Sequence, residues 1–146
     1  MYFFDKMNIY PCEEITTDVL SAIEKLIPQL STDCEIPSVT YLEQIVRSED
    51  TYLFLAEKDK IVGMLTIIFN RTPTGRKAWI EDVVVDEKIR GQGAGSQLIG
   101  NAIEFARSKG VSKIDLTSRP KRVEANRLYE KLGFKRRNTN VYRLEL

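Results

Sequence analysis

Apolar residues change their spacing along the chain, and each change marks a new element. Val19, Leu20, Ile23, Leu26 and Ile27 recur at helical spacing behind Thr17, the expected N-cap. Before them, Tyr2 to Tyr10 reads as a first strand. The polar stretch Ser31 to Pro37 reads as a loop. Ser38 can cap a second short helix carrying Leu42, Ile45 and Val46. The period then drops to that of strands. Tyr52 to Ala56 and Ile61 to Phe69 are β-rich runs, joined by a hairpin-sized connection over Glu57 to Lys60. Asn70 to Lys77, with Pro73 and Gly75, reads as a turn. Ala78 to Val85 is a further strand, and its continuous Val83-Val84-Val85 suits burial on both faces.

Helical spacing returns after Gly95. Leu98, Ala102, Phe105 and Ala106 share a face, and Gly110 follows Lys109 as a C-cap glycine. Val111 to Ser118 reads as a strand broken by Pro120. Arg122 to Leu132 is a helix with Ala125, Leu128, Tyr129 and Leu132 on one stripe, closed by Gly133. Val141 to Leu146 is expected to end the chain as a strand with Tyr142 and Leu144 on one face. The order β-α-α-β-β-β-α-β-α-β describes an α/β (α+β) domain with one mixed sheet. At 146 residues, 42% of them hydrophobic, the chain suits a single domain over 1–146.

Charge removes some classes of partner. Basic and acidic residues nearly cancel at net +1, which argues against a nucleic-acid backbone as ligand. No apolar run reaches the roughly 18 residues of a membrane span. Met1 to Lys6 does not read as a signal peptide. Cys12 and Cys34 give neither a disulfide framework nor a zinc set, so a reducing cytoplasm is the expected setting. There is no histidine. Ser-His-Asp and Cys-His triads and imidazole metal sites are thereby excluded, and no metal is expected.

The chemistry centres on Val83 to Ser96, where a glycine loop lies between a buried strand and a helix N-terminus. Glycines let backbone N–H groups turn outward and let a ligand approach, and the helix dipole adds about half a positive charge. Together they suit phosphate or pyrophosphate, with Arg90 adding a formal charge. A P-loop needs Gly-Lys-Ser/Thr, but this loop has Gly95-Ser96-Gln97. A dinucleotide fingerprint needs a sixth-place glycine, but Ser96 stands there, and only one β-α-β unit follows.

Arg90-Gly91-Gln92-Gly93-Ala94-Gly95 after an apolar strand resembles the central signature of the GNAT superfamily of acyl-CoA-dependent N-acetyltransferases. Leu128-Tyr129-Glu130-Lys131-Leu132-Gly133-Phe134 resembles its second element. The resemblance covers roughly Ile61 to Phe134. It implies a mixed, mostly antiparallel sheet flanked by helices, and acetyl-CoA as co-substrate. It also implies that the backbone of Val83 and Val85 pairs with the pantetheine arm of the cofactor, while the chemistry of thioester attack makes a backbone N–H near Val83 or Val84 the expected donor to the oxyanion. Arg90, Gly91, Gln92, Gly93, Ala94, Gly95 and Ser96 would hold the pyrophosphate, and Tyr129 would be the general acid. Arg122 stands where many members carry an asparagine, so a phosphate contact is the expectation there.

An amine with a pKa near ~10.4 must lose a proton before it attacks a thioester. Glu81 and Asp82 are the candidate bases, on opposite faces unless a bulge intervenes, and Glu81 is preferred. The acceptor can be a small-molecule amine or a protein amine. Its pocket is expected from Ser31 to Pro37, Asn70 to Lys77 and Asn138 to Asn140, with Asp33 and Glu35 suited to a cation. A homodimer stays open. The alternative function is a CoA-binding sensor or regulatory module without turnover.

Overall fold

The computed structural model describes residues 6–146. The opening residues of the expected first strand, Tyr2 to Asp5, lie outside them. Five strands form one sheet in chain order: β1 (Asn8–Pro11), β2 (Thr51–Lys58), β3 (Lys60–Thr72), β4 (Gly75–Val85) and β5 (Ile114–Leu116). The first four pair antiparallel and β5 joins β4 in parallel, so the sheet is mixed and mostly antiparallel. Helices α1 (Thr17–Leu30) and α2 (Val39–Arg47) cover one face, α3 (Ala94–Ser108) and α4 (Val123–Lys131) the other.

Alternation along the strands fills both layers. On β2, Leu53 and Leu55 point to Ile23, Leu26 and Leu42, while Phe54 and Ala56 join Leu98, Ile99 and Ala102. Tyr52, Phe54 and Phe69 meet the Phe105 ring edge-on, with centroids 4.7, 5.1 and 5.9 Å away. Ser38 caps α2 by accepting from the Tyr41 amide. The cap of α1 is Thr16, one residue earlier than expected, and it accepts from the Val19 amide.

Two expectations need correction. The turn over Asn70 to Lys77 shrinks to Pro73-Thr74, because Thr72 pairs directly with Gly75 at φ 125° and both strands run into it. The closing strand is absent: Val141 to Leu146 joins no sheet, and every residue from 135 to 146 is exposed. A period of two fixes which side chains share a face; it does not supply a neighbour to bond.

Candidate active site

Strand β4 changes phase at Asp82. The Ala78 amide donates to the Lys113 carbonyl, so Ala78 and Ile80 turn their backbone toward β5. Past Asp82 the register places Thr66 opposite Glu81 and Met64 opposite Val84, two β4 residues facing Leu65 alone. This is a β-bulge, with Asp82 left-handed at φ 52°. The Asp86 amide then donates to the Val62 carbonyl at 2.7 Å. Counting back from it, Val84 faces β3 while Val83 and Val85 direct N–H and C=O to the opposite edge. Strand β5 pairs only with Ala78, Trp79 and Ile80, so that edge is open beyond them. Were Asp82 paired as a regular strand residue, Val83 and Val85 would spend their backbone groups on β3.

Side chains invert with the backbone. Ala78, Ile80, Val83 and Val85 pack on the α3/α4 side and Val84 on the α1/α2 side. Alternation carries Trp79 and Glu81 to the α1/α2 face, where the Trp79 indole N–H donates to Glu81 Oε1 at 2.5 Å. Asp82 is exposed, but partial loss of solvent raises its carboxyl above the ordinary value.

A 3-10 turn, Glu87–Ile89, leads into the glycine loop. Asp86 at its cap is 2% exposed and meets Lys25 Nζ of α1 at 2.8 Å. The hydrogen bond from that ammonium holds the carboxyl below the ordinary value. Asp86 also accepts from the Lys88 amide, and Gln29 Oε1 accepts from the Glu87 amide at 2.8 Å. Gly91 and Gly93 follow at φ 83° and 85°, where a side chain would be strained. Gly93 is the N-cap of α3 and offers it no side-chain acceptor. The first-turn amides are therefore left for a ligand, with the helix dipole behind them. Open edge and uncapped helix are continuous, which fits a cofactor with an amide-bearing arm and a pyrophosphate. Arg90 is exposed at the loop's entry.

Tyr129 is 6% exposed on α4 and meets Phe134 edge-on at 6.0 Å. A Cβ at Gly95 would lie 3.4 Å from Leu128 Cδ2, so α4 rests against the start of α3. Burial raises the Tyr129 pKa, partly opposed by Arg122 at the cap of α4. The phenol therefore keeps its proton at neutral pH. Glu81 and Tyr129 sit on opposite faces of the sheet, with no hydrogen bond between them. Just past β5, the Ser118 hydroxyl is buried without a partner. Beside it, Arg119 and Gln29, Ser31, Thr32 and Asp33 line a polar recess of about 230 Å³. That recess takes in the start of the expected acceptor loop. Glu35 and Asn138 to Asn140 do not line it.

Residues 19–134 match the sequence profile of the acetyltransferase (GNAT) family. The chain belongs to that family. It is 36% identical over 111 residues to a glucosamine 6-phosphate N-acetyltransferase of Trypanosoma brucei brucei, covering 63% of this chain and 73% of that one. Against glucosamine 6-phosphate N-acetyltransferase 1 of Oryza sativa subsp. japonica it is 36% identical over 134 residues, 85% and 79% of the two chains. Among solved structures, a transcriptional regulator from Bacillus halodurans C-125 superposes with a TM-score of 0.81 at 30% identity, covering 97% and 100%. This GNAT protein is an acetyl-CoA-dependent N-acetyltransferase.

Sequence reasoning missed Lys25 and Gln29. They lie one turn apart on α1, a polar pair beside the apolar stripe, and nothing in the chain marks them as the support of a loop sixty residues on. The bulge was foreseen only as a condition. An acidic residue between two strand segments of opposite phase is its one trace in the sequence.

Proposed function

We propose that the protein transfers an acetyl group from acetyl-CoA to a primary amine by direct attack on the thioester. The observation that carries this reading is the open edge of β4 at Val83 and Val85, continuous with the uncapped N-terminus of α3. The edge suits the pantetheine amides as an added strand would, and the first-turn amides with Arg90 suit the pyrophosphate. Arg122 is the further candidate for a CoA phosphate. The Val83 N–H, aimed into the opening, is the donor for the oxyanion. Val84 faces β3 and contributes packing. Glu81, oriented by Trp79, accepts the proton of the incoming amine, directly or through water. Tyr129 keeps its proton at neutral pH and delivers it to the departing thiolate.

The acceptor we favour is a small amine that also carries an anionic group. Both relatives described above are named for an amino-sugar phosphate. The recess beside β5 offers Asp33 and Arg119 together, one of each charge. Thiol release from acetyl-CoA is the test, comparing glucosamine 6-phosphate with glucosamine, an aminoglycoside and a lysine peptide. A preference for the unphosphorylated sugar or the peptide would refute this acceptor class. Acetyl-CoA should also raise the melting temperature where NAD does not. A larger shift with NAD would refute the cofactor reading. The B. halodurans structure, named a transcriptional regulator, favours a second reading, a CoA-responsive regulatory module. Acetyl-CoA binding without thiol release across the amine panel would decide for it.

A further inference from the structure

Among the described residues, two buried side-chain polar atoms lack a hydrogen-bond partner, Arg76 Nε and Ser118 Oγ. The first belongs to a guanidinium that is otherwise engaged. Arg76 donates to the Lys109 carbonyl at 3.2 Å, approaches Asp50 and lies over the Phe69 ring. The Ser118 hydroxyl has no such setting. A hydroxyl can donate once and accept twice, and holding it dry and unpaired costs free energy that an alanine would not. Native folds leave few such groups, and a retained one calls for a chemical reason.

Its place in the sheet supplies one. The last pair between β4 and β5 is Ile80 with Leu116, and the strands run parallel. On β4, Asp82 and Val83 share the single level of Leu65. Ser118, two residues past Leu116, therefore stands across the opening from both. Ile114, Leu116 and Val83 pack on the α3/α4 side, and Thr117 is exposed where Ser118 is half-buried. Alternation thus carries Ser118 to the side of Val83 and Tyr129. We infer that the Ser118 O–H is a second donor to the oxyanion, beside the Val83 N–H; this rests on the transfer reading above. When the amine nitrogen attacks, a C–N bond forms and the carbonyl π pair moves onto oxygen, where both groups donate. When the C–S bond breaks, that pair re-forms the carbonyl and the C–S pair leaves on sulfur. Sulfur takes the Tyr129 proton, and the proton lost by nitrogen is on Glu81. A buried hydroxyl with no prior partner has no bond to surrender as the charge develops. The cost borne in the free protein is recovered in the transition state.

Ser118→Ala tests this, by thiol release at saturating amine, titration of acetyl-CoA and of CoA, and a melting curve of the free protein. We expect kcat to fall by about a hundredfold, the usual cost of one lost oxyanion donor. Affinity for both ligands should hold, because the donation strengthens only as charge appears. The free protein should melt higher, because an unpaired hydroxyl is gone. Ser118→Thr keeps the hydroxyl and should recover most of the rate. Unchanged kcat in the alanine variant overturns the inference, and so does a threonine variant no faster than alanine. A parallel loss of affinity for acetyl-CoA and CoA overturns it by making Ser118 a contact of the pantetheine arm. A lower melting temperature with a normal rate overturns it by making Ser118 a packing residue. A parent protein that releases no thiol with any amine overturns the transfer reading and the second donor with it. An active parent beside a fully active alanine variant overturns the second donor alone.

Discussion

The two halves of β4 belong to one strand and have different fates. From Gly75 to Ile80 the strand is bonded to β3 on one side and approaches β5 on the other. From Val83 to Val85 it keeps β3 and loses β5. Glu81 and Asp82 separate them, with the bulge at Asp82. Both halves bury apolar side chains in the α3/α4 core, so burial there does not distinguish them. What differs is where backbone polar groups point. A strand that runs on past its neighbour thus turns structural hydrogen-bonding capacity into binding capacity without altering the core.

Inserting one alanine after Asp82 should be the most damaging change. It would shift the second half by one place, driving Val84 toward α3 and Val83 and Val85 toward α1. We expect the acetyl-CoA thermal shift to vanish and stability to fall by about 3 kcal/mol or more. A retained shift would mean that the open edge is not the cofactor's. Glu81→Gln comes next, with kcat down about a hundredfold and acetyl-CoA affinity kept. Asp82→Asn should stay near the parent; if it carries the loss instead, the base lies in the bulge. Gly93→Val should weaken CoA binding by at least ~tenfold in a folded protein, since a branched side chain at φ 85° both strains the loop and covers its amides. Normal affinity in isothermal titration would remove the loop from the phosphate site. Tyr129→Phe keeps the ring, so kcat should drop by at least ~tenfold with affinity unchanged, whereas a packing role alone would move only stability, by about 1 kcal/mol.

The smallest effect concerns the two acids that flank the valines. Asp82→Gly should stabilise by about 1 kcal/mol at neutral pH, because glycine accepts the left-handed backbone freely. Their pKa shifts have opposite signs. Asp82 is raised, so its ionisation opposes folding: its contribution is present below the ordinary value of 3.8 and is lost as pH rises through the folded value. Asp86 is lowered, so its contribution is present above 3.8 and is lost as pH falls through the folded value. Melting curves between pH 3 and 7 on Asp82→Asn should therefore show a gain confined to the upper end. A gain that grows toward acid would contradict the assignment.

Local patterns were legible in the sequence; pairings across it were not. Val83 to Ser96 identified itself as strand, loop and helix start because glycine spacing and apolar runs are properties of neighbouring residues. Ser38 and Gly110 were found for the same reason. The choice between Glu81 and Asp82 needed a register, and register depends on Leu65, a residue of another strand. Asp86 reads as an ordinary acid until Lys25 is placed against it. The Val141 to Leu146 pattern was strand-like, but no protomer neighbour exists to make it a strand.

The Lys25–Asp86 pair bears on how far this site could be transplanted. Both family motifs lie between Ile61 and Phe134, and a graft or minimal fragment would naturally begin there. Such a fragment would carry the whole signature and leave Asp86 without its cation and the Glu87 amide without Gln29. The glycine loop is written in one part of the chain and held by another. Portability of the cofactor site is therefore set by α1, whose own sequence contains no trace of the motif.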